Sequence, residues 1–514
     1  MRIIAFFVVC FVLLSCSIAI GAEYGTMSTA KETAFKWIDD HAELGQEVAT
    51  YIWHHPELGL AEYHSSGILQ EMLTKAGFTV ENNIAGMPTG FIATWGSGKP
   101  IIGINAEFDA LPGISQEPGT TERVPILFGA PGHGCAHNLF GTYSSLAGIA
   151  IKQAMEKEDI KGTIRVYGTP AEETLIGKAF FVKAGVYNDV DAMITWHPGE
   201  NSEVTYNSTL AVVSFKLRFH GRNAHASGSP WEGRSALDAV ELFNVSMNYM
   251  REHVHPSSRI HYIITDGGLA PNVVPNYAEV WYYLRAPEYR LVGDILERAR
   301  KAAEGAALMT ETTSEFLVIA ANMQVLPNQS LARVGHANVK LVGGVPHDEE
   351  NQKMAEPFAR SMNIESGPFI NTGYNEFVDE PFKWATQGSS TDEANVSWVV
   401  PMARFSPAMR ARGTPSHSLQ AVAQSCLPIG FLGSSVVAKY MVATALDLFA
   451  DGSLIEDAWK DHRESLEKYG PYVDPVKDVD LPSFELVHNI KEEAMPKQWE
   501  VRPYPKPDFD KLFK

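Results

Sequence analysis

Apolar and polar positions change their spacing several times along the chain, and each spacing predicts a different element. Between residues 28 and 59 the apolar positions recur at helical intervals, which predicts one amphipathic helix that ends in the turn HHPELG. A second helix is predicted over residues 65–76 and ends at Gly77. The chain therefore opens with helices that have one apolar face each, and these must pack against a further layer.

Strands and helices then alternate. Short apolar runs occur in FIATWG, PIIGINAEFDALPG, GTIRVYGTPAEET and VDAMITWHPGE, and a helix rich in small residues is predicted over residues 141–155. This alternation predicts an α/β fold with a mostly parallel sheet and helices on both faces. In such sheets ligands bind beyond the carboxyl ends of the strands, where the polar residues of these runs fall.

The order of elements changes between residues 207 and 325. There the pattern reads strand, helix, strand, strand, helix, strand, which is the order of a ferredoxin-like βαββαβ unit. We predict that residues 207–325 form an inserted lid domain within a catalytic domain made of residues 27–206 and 326–473. The Pro- and charge-rich residues 474–514 are predicted to be an irregular tail on the surface.

Size and charge limit the function. A chain of 514 residues with 45% hydrophobic content can bury a large core in two or three domains. Its formal net charge of −19 argues against nucleic acid as a partner, because binding phosphates requires a basic face.

The first 22 residues have the features of a secretory signal, a basic start followed by a short apolar run. The run is too short to span a membrane comfortably. We therefore expect export to the periplasm or the extracellular space, either with cleavage after Ala22 or with a lipid anchor on Cys16. The thiols of Cys135 and Cys426 would remain, and two cysteines do not make a disulfide framework.

Potential metal ligands recur at the ends of the strand-like runs. The loop GHGCAHN carries a thiol and an imidazole two residues apart, and acids or imidazoles follow in PAEE, TWHP and PSHS. A site with two metal ions needs about five to six protein ligands. The predicted ligands are Cys135, His137, Glu173, His197 and His417. Oxygen and nitrogen ligands with one sulfur fit zinc, manganese or cobalt.

The remaining polar residues suggest how an amide would be hydrolysed. Glu172 lies beside the predicted ligand Glu173 and is expected to act as general base, taking a proton from water and delivering it to the leaving amine. His225, in the polar lid loop GRNAHASGSP, is a candidate donor to the oxyanion of the tetrahedral intermediate. Asn272 and Arg285 are candidates for binding a substrate carboxylate, although either residue could be structural.

These motifs together resemble a known family. HHPELG, EFDALPG, GHGCAHN, PAEE, WHP, GRNAHASGSP, GGLAPNVVP and SHS follow, in this order, the metal-dependent amidohydrolases that include aminoacylase, carboxypeptidase G, hippurate hydrolase and plant auxin-conjugate hydrolases. The resemblance covers nearly the whole chain after the leader, and GHGCAHNLFGTYS and SSTDEANVSWVVP are most similar to its p-aminobenzoyl-glutamate hydrolase branch.

The resemblance implies two divalent metal ions per subunit, the five ligands and general base named above, and a lid domain that mediates dimerisation. It also implies that His225 reaches into the active site of the partner subunit. Two positions depart from the pattern of many relatives: Asn138 replaces an aspartate, and Glu107-Phe108-Asp109 replaces Asp-x-Asp. Asn138 cannot supply an anionic hydrogen-bond partner, which leaves the hydrogen bonding around the ligands open.

The expected function is that of an exported dinuclear-metal amidohydrolase that cleaves an N-acyl or N-aroyl amino acid such as p-aminobenzoyl-glutamate. A dipeptidase is an alternative within the same chemistry, and a non-catalytic partner subunit of a hydrolase complex is an alternative from another class. The expected assembly is a homodimer, or a heterodimer with a homologous subunit.

Overall fold

The structure is a computed structural model that describes residues 24–513. The predicted leader, with its two alternative processing sites at Cys16 and Ala22, lies outside the described residues.

Two sheets and the helices around them make up the described chain. The strands are β1 Thr79–Asn82, β2 Phe91–Ser97, β3 Ile101–Glu107, β4 Gly162–Thr169, β5 Ala192–Trp196, β6 Glu203–Val204, β7 Ala211–His220, β8 Arg259–Asp266, β9 Tyr277–Ala286, β10 Thr313–Asn322 and β11 Met402–Ser406. The helices are α1 Thr29–Asp40, α2 Ala42–His54, α3 Tyr63–Lys75, α4 His137–Lys157, α5 Gly177–Lys183, α6 Ala236–Met250, α7 Tyr289–Thr310, α8 Gln329–Val342, α9 Glu349–Ser361, α10 Glu393–Ser397, α11 Leu419–Gln424, α12 Pro428–Ala450, α13 Gly452–Tyr469, α14 Phe484–His488 and α15 Gln498–Val501.

The larger sheet has the strand order β1-β2-β4-β3-β5-β11-β6. Its four central strands are parallel, with β3 between β4 and β5 and with β11 beside β5. The outer pairs β1/β2, β2/β4 and β11/β6 are antiparallel. Every residue of β3 is buried, as expected for a central parallel strand covered on both faces. The predicted α/β fold with a mainly parallel sheet is confirmed.

Glycine is required at one point of this central strand. A Cβ atom on Gly103 of β3 would lie 2.2 Å from the sulfur of Met193 on the neighbouring strand β5. The side chains of the two strands can interdigitate only because this position has none.

Two helix predictions differ from the structure. The single helix predicted between residues 28 and 59 is broken at His41, whose backbone leaves the helical region at φ −108° and ψ 17° and whose Nδ1 lies 2.7 Å from the Trp37 carbonyl oxygen. Helix α4 begins at His137 rather than at residue 141, because Ala136 takes a left-handed conformation that starts the helix there. His137 therefore lies in the first turn of a helix and not in a loop.

The smaller sheet belongs to the inserted unit. Its strand order is β10-β7-β9-β8, all pairs are antiparallel, and α6 and α7 pack on it. The buried residues of α7 recur every three or four positions, which gives the helix one apolar face toward the sheet. This is the ferredoxin-like βαββαβ arrangement that the sequence predicts.

Helix α12 is the one helix in residues 24–513 that is long and apolar enough to cross a membrane by length and composition. Most of it, 78% of its most apolar window, is buried inside the molecule. It packs against α1, α4 and α8, so it serves here as the central helix of one face of the larger sheet.

The tail after residue 473 is mostly irregular, with α14 and α15 as its only α-helices in the described chain. It nevertheless contributes buried side chains to both parts of the molecule. Val476 and Val487 join an apolar cluster that the inserted unit shares with one face of the larger sheet, whereas Phe509 and Leu512 join the core on the other face of the larger sheet.

Candidate functional site

The polar residues that follow the central strands meet at one edge of the larger sheet. Glu107 is the last residue of β3 and Asp109 lies two residues beyond it. Glu172 and Glu173 follow β4, and His197 follows β5. Because these three strands are parallel, their carboxyl ends bring the side chains together, at the place where open α/β sheets bind ligands.

Asp109 connects two of the predicted ligands. One of its carboxylate oxygens lies 2.9 Å from Nδ1 of His137, and the other accepts a hydrogen bond of 2.9 Å from the backbone N–H of Glu173. This leaves Nε2 of His137 facing the site. Asp109 thus supplies the anionic partner that Asn138 cannot, while Asn138 donates from its side-chain amide to the carbonyl oxygens of Ala49 and Ser425.

One group of ligand atoms is formed by Cys135, Glu173 and His417, which lie within 4.8 Å of one another. Nε2 of His417 lies 3.2 Å from Oε2 of Glu173. The loop that carries Cys135 is tied to His417, because the Gly134 carbonyl oxygen accepts hydrogen bonds from the His417 N–H and from the buried guanidinium of Arg410.

A second group is formed by Glu107, His137, Glu172 and His197, again within 4.8 Å. Oε2 of Glu107 lies 3.2 Å from Nε2 of His137 and 3.4 Å from Nε2 of His197. Cys135 also forms a group with His137 and His197, so its thiol lies between the two sets. All five predicted ligands and Glu172 therefore occupy one continuous cluster.

Strained backbone lies next to these residues. Ala136, between Cys135 and His137, has φ 58°, and Ala171, directly before Glu172, also has φ 58°. His417 itself has φ 60°. Residues other than glycine rarely adopt this left-handed region, and such strain is found most often at functional sites.

Burial sets the protonation of the acids. It raises the pKa of Glu172 to about 8, and the negative charge of Glu107 adds to the shift. Burial alone would raise the pKa of the Cys135 thiol, but a hydrogen bond to His137 and the positive charge of neighbouring imidazoles hold that pKa well below its usual value. Burial also opposes ionisation of Glu107, yet the Lys178 ammonium and His197 keep its pKa low.

The donor set fits divalent metal ions. In residues 24–513, Oε2 of Glu107, Nε2 of His137 and Oε1 of Glu173 are buried and have no hydrogen-bond partner. Buried polar atoms are normally hydrogen-bonded, so this concentration of unpaired acceptor atoms fits a bound cation. Thiolate, imidazole and carboxylate together are ligands that zinc, manganese and cobalt accept.

A cavity of about 610 Å³ opens over the cluster. It is lined on one side by Cys135, Glu172 and His417, and on the other by Tyr283 and Arg285 of strand β9 in the smaller sheet. The Arg285 guanidinium donates a hydrogen bond of 2.8 Å to the Ser390 hydroxyl, and no carboxylate in residues 24–513 forms an ion pair with it. A cavity of this size accommodates a small organic molecule.

Comparison with known proteins agrees with this geometry. Residues 208–309 match the family model of the M20 peptidase dimerisation domain. Over 476 residues the chain is 39% identical to a p-aminobenzoyl-glutamate hydrolase subunit from Escherichia coli (strain K12), an alignment that covers 87% of this chain and 98% of that protein. The chain belongs to the M20 peptidase family.

Two further proteins extend the comparison. The mouse Xaa-Arg dipeptidase is 28% identical, with 87% of this chain and 96% of that protein covered. The crystal structure of an aminobenzoyl-glutamate utilization protein from Klebsiella pneumoniae shares the fold with a TM-score of 0.52 at 18% identity, covering 79% of this chain and 97% of that one. Membership of the M20 family makes the chain a hydrolase that acts on amide bonds.

Two predicted residues of this M20 chain lie outside the cavity. His225 and Asn272 are exposed on adjoining loops of the smaller sheet, where the Ala226 N–H donates 3.0 Å to the Asn272 carbonyl oxygen. Nδ1 of His225 accepts hydrogen bonds from the N–H groups of Ser227 and Gly228, so its Nε2 carries the proton and faces outward. Neither side chain lines the cavity over the cluster.

Three acids of the M20 site were not among the predicted site residues: Glu107, Asp109 and Glu393. In the sequence, Glu107 and Asp109 stand at the end of a strand and depart from the Asp-x-Asp pattern, and that position directs them at the cluster. Glu393 has Oε1 3.5 Å from Nδ1 of His197, and Arg404 pairs with its other oxygen at 3.4 Å. Glu393 is far from His197 in the sequence, so no local pattern predicts their contact. The sequence marks Glu393 only by its place in the motif SSTDEANVSWVVP.

Proposed function

We propose that this protein is an exported amidohydrolase with two divalent metal ions per subunit, zinc or manganese, that cleaves an N-acyl or N-aroyl amino acid such as p-aminobenzoyl-glutamate. The observation that carries the proposal is the cluster itself. Five potential ligands and an additional buried glutamate form one cluster beneath a cavity, and an arginine without a carboxylate partner in the described chain lines that cavity.

The residues that would hold the ions are Cys135, His137, Glu173, His197 and His417. Bound divalent ions polarise an amide carbonyl and lower the pKa of water toward neutrality. Asp109 keeps Nε2 of His137 directed at the site, and Glu393 lies beside Nδ1 of His197, as partners of metal-binding imidazoles commonly do.

Glu172 is the proton carrier of this proposal. Its two carboxylate oxygens lie 3.9 Å from Nε2 of His137 and 4.0 Å from Nε2 of His197, at the centre of the second group of ligand atoms. As general base it takes a proton from the attacking water, and as general acid it gives that proton to the nitrogen that leaves when the C–N bond breaks. Cleavage leaves a carboxylic acid and a free amino acid.

Arg285 would bind the carboxylate of the amino-acid half. A guanidinium fork matches a carboxylate, and the partly buried Arg285 has only the Ser390 hydroxyl as hydrogen-bond partner in the described chain. The name of the 39% identical relative gives p-aminobenzoyl-glutamate as its substrate, and the aromatic ring of Tyr283 in the cavity wall offers a surface for an aroyl group.

His225 would act in a dimer. Its outward-facing Nε2–H suits a donor to the oxyanion of an intermediate held by another subunit, and Asn272 lies beside it on the same exposed surface. Because residues 208–309 match a dimerisation domain, we propose a homodimer, or a heterodimer with a homologous subunit, in which this surface meets the partner.

A dipeptidase is the second candidate. The 28% identical mouse relative is named as an Xaa-Arg dipeptidase, so the same fold can act on a dipeptide. The two candidates differ in whether the substrate has a free amine or an acyl group on the nitrogen side.

Export is proposed from the basic start and apolar run of the first 22 residues. Fractionation of expressing cells, with mass spectrometry of the mature amino terminus, would distinguish cleavage after Ala22 from lipidation of Cys16. An uncleaved chain in the cytoplasm would contradict export.

The function is tested with purified, metal-reconstituted protein and a panel of acyl-amino acids, p-aminobenzoyl-glutamate and dipeptides, reading out the amine released. We expect turnover of at least one acyl- or aroyl-amino acid. Glu172→Gln should keep its metal and lose roughly three or more orders of magnitude in kcat. Turnover of dipeptides alone would favour the second candidate, and Glu172→Gln activity within about tenfold of wild type would remove Glu172 as base.

A further inference from the structure

Lys178 is a fully buried cation beside the cluster. It lies in the first turn of α5, and its ammonium is 2.9 Å from Oε1 of Glu107 and 2.6 Å from Oδ1 of Asp392. All three side chains have no exposed surface. A buried charge is costly unless it is paired, so this arrangement of one cation between two anions holds all three groups in place.

The backbone reinforces the arrangement. The N–H of Lys178 donates a hydrogen bond of 2.8 Å to the second oxygen of Asp392, which therefore binds both ends of the same residue. A Cβ atom on the preceding Gly177 would lie 1.8 Å from the Pro170 carbonyl oxygen, so the start of α5 packs directly against the end of β4. Lys178 cannot move away from Glu107 without disturbing the turn that carries Glu172.

Only one carboxylate oxygen of Glu107 pairs with Lys178, and the other points away from the lysine. This oxygen, Oε2, faces Nε2 of both His137 and His197 at 3.2 and 3.4 Å. Two carboxylates and one ammonium leave one net negative charge, and it faces a pair of imidazoles that fit a metal ion. The imidazole nitrogens would be neutral acceptors in a metal site, so the carboxylate needs a cation between them rather than a hydrogen bond.

We propose that Glu107 is a further metal ligand, belonging to the ion held by His137 and His197, and that Lys178 and Asp392 are positioning residues that turn its Oε2 toward that ion. The inference rests on the proposed metal-dependent function. One ion position is then bounded by Glu107, His137 and His197, and the other is bounded by Cys135, Glu173 and His417.

The first experiment compares Glu107→Gln with wild type. Purified protein is stripped of metal and titrated with Zn²⁺ and Co²⁺, and bound metal is measured by elemental analysis and calorimetry. We expect the variant to bind about one ion per chain where wild type binds two, because an amide oxygen is a poor replacement for a carboxylate. The visible spectrum of the Co²⁺ protein should also change, which reports ligation independently of turnover.

Glu279→Gln is the matched control, because Glu279 is a buried glutamate paired with a lysine and an arginine in the other sheet, outside the cluster. It should leave metal stoichiometry and the Co²⁺ spectrum unchanged. If Glu107→Gln binds two ions with wild-type affinity and spectrum, Glu107 is not a ligand.

The second experiment tests positioning with Asp392→Asn and Lys178→Met. Each variant should weaken binding of one ion roughly 10- to 100-fold while the other ion keeps its affinity, as expected when a partner of a ligand is removed. Asp392→Asn is nearly isosteric and keeps the result interpretable if Lys178→Met does not fold. Unchanged affinities in folded Asp392→Asn would overturn the positioning role.

The failure of this inference is distinguishable from failure of the proposed function. If wild type and Glu107→Gln both bind no divalent ion, the metal-dependent function itself is wrong. If wild type binds two ions, Cys135→Ala loses one, and Glu107→Gln loses none, only the role of Glu107 is wrong.

Discussion

The left-handed alanine between Cys135 and His137 shows how a single residue directs two ligands. With φ 58° at Ala136, the chain reverses so that the thiol lies at the end of the loop and the imidazole in the first turn of α4. This conformation costs alanine roughly 1–2 kcal/mol, whereas glycine adopts it freely. The left-handed turn at residue 136 is needed for the site, but the methyl group of Ala136 is not.

Ala136→Gly should therefore change the free energy of unfolding by less than about 1 kcal/mol, because relief of strain offsets the lost methyl burial and the added freedom of the unfolded chain. The matched control is Ala150→Gly, which removes an equally buried methyl group from the regular part of α4 and should cost about 2 kcal/mol. Thermal unfolding of the two variants, with their metal content, makes the comparison. Equal losses would mean that Ala136 is not strained.

A buried histidine predicts acid sensitivity. His462 on α13 is only 3% exposed, and burial lowers its pKa to about 4. Above pH 6.5 the residue is neutral in the folded and unfolded states and contributes no pH dependence. Between about pH 6.5 and 4 only the unfolded state takes up the proton, so stability falls as pH falls, by up to about 3 kcal/mol in total.

His462→Gln should reduce this loss, because glutamine stays neutral and can still donate a hydrogen bond. The measurement is thermal unfolding at several pH values between 7 and 4 for both proteins. Parallel curves for the two proteins over that range would assign the acid sensitivity to other groups.

Most residues of this cluster could be predicted from the sequence, because polar residues that directly follow an apolar run mark the ends of strands. Glu172, Glu173 and His197 each follow an apolar run, and Cys135 and His137 stand two residues apart in the glycine-containing motif GHGCAHN. No role in the site was predicted for Glu107, Lys178 or Asp392, because a buried ion pair depends on which elements become neighbours. Nothing near Lys178 in the sequence indicates that residue 392 will lie beside it.

Among the elements, the tail after residue 473 has the least regular structure, yet it contacts several parts of the molecule that are far apart in the sequence. Lys183 donates to the Val476 carbonyl oxygen, His488 contacts the Gly59 carbonyl oxygen, and Gln498 bonds with Ser115 and with the end of α2. The Leu486 carbonyl oxygen of the tail also accepts a hydrogen bond from the Lys216 ammonium of β7, so the tail connects the smaller sheet to the helices beside the larger one. The composition of the tail predicts its irregular structure. The few buried apolar residues that anchor the tail do not recur at helical or strand spacing, so the sequence does not predict these contacts.

Val487→Ala in the tail should lower the free energy of unfolding by roughly 1–3 kcal/mol, because Val487 is fully buried in the core of the smaller sheet. Val501→Ala removes the same atoms from a side chain that is 61% exposed and should change stability by less than about 0.5 kcal/mol. Thermal unfolding, with hydrogen exchange of β7 and β10, compares them. Equal stability of both variants would show that the tail is only loosely attached.

At the scale of the whole molecule, the smaller sheet presents an apolar edge. Ile263 and Ile264 on the edge strand β8 are 59% and 46% exposed, and Leu269 in the following loop is completely exposed. An open edge strand with exposed isoleucines favours association with another chain. Asn272 lies in the same loop as Leu269, and its carbonyl oxygen accepts a hydrogen bond from the N–H of Ala226, the residue after His225.

Mixed dimers test this arrangement. His225→Ala and Glu172→Gln should each be nearly inactive alone, whereas random mixing of the two should restore about a quarter of wild-type activity, because half the dimers contain one intact site of two. The variants are coexpressed with different affinity tags and the doubly tagged dimer is assayed, which should have about half of wild-type activity because one of its two sites is intact. No recovery in that purified dimer would show that the site is not shared between subunits.

The wall that carries Arg285 and the floor that carries the metal ligands come from different sheets of the same chain. In the proposed function, substitutions in the inserted sheet would therefore alter which amino acid is bound, while the residues of the larger sheet that surround the scissile bond stay the same.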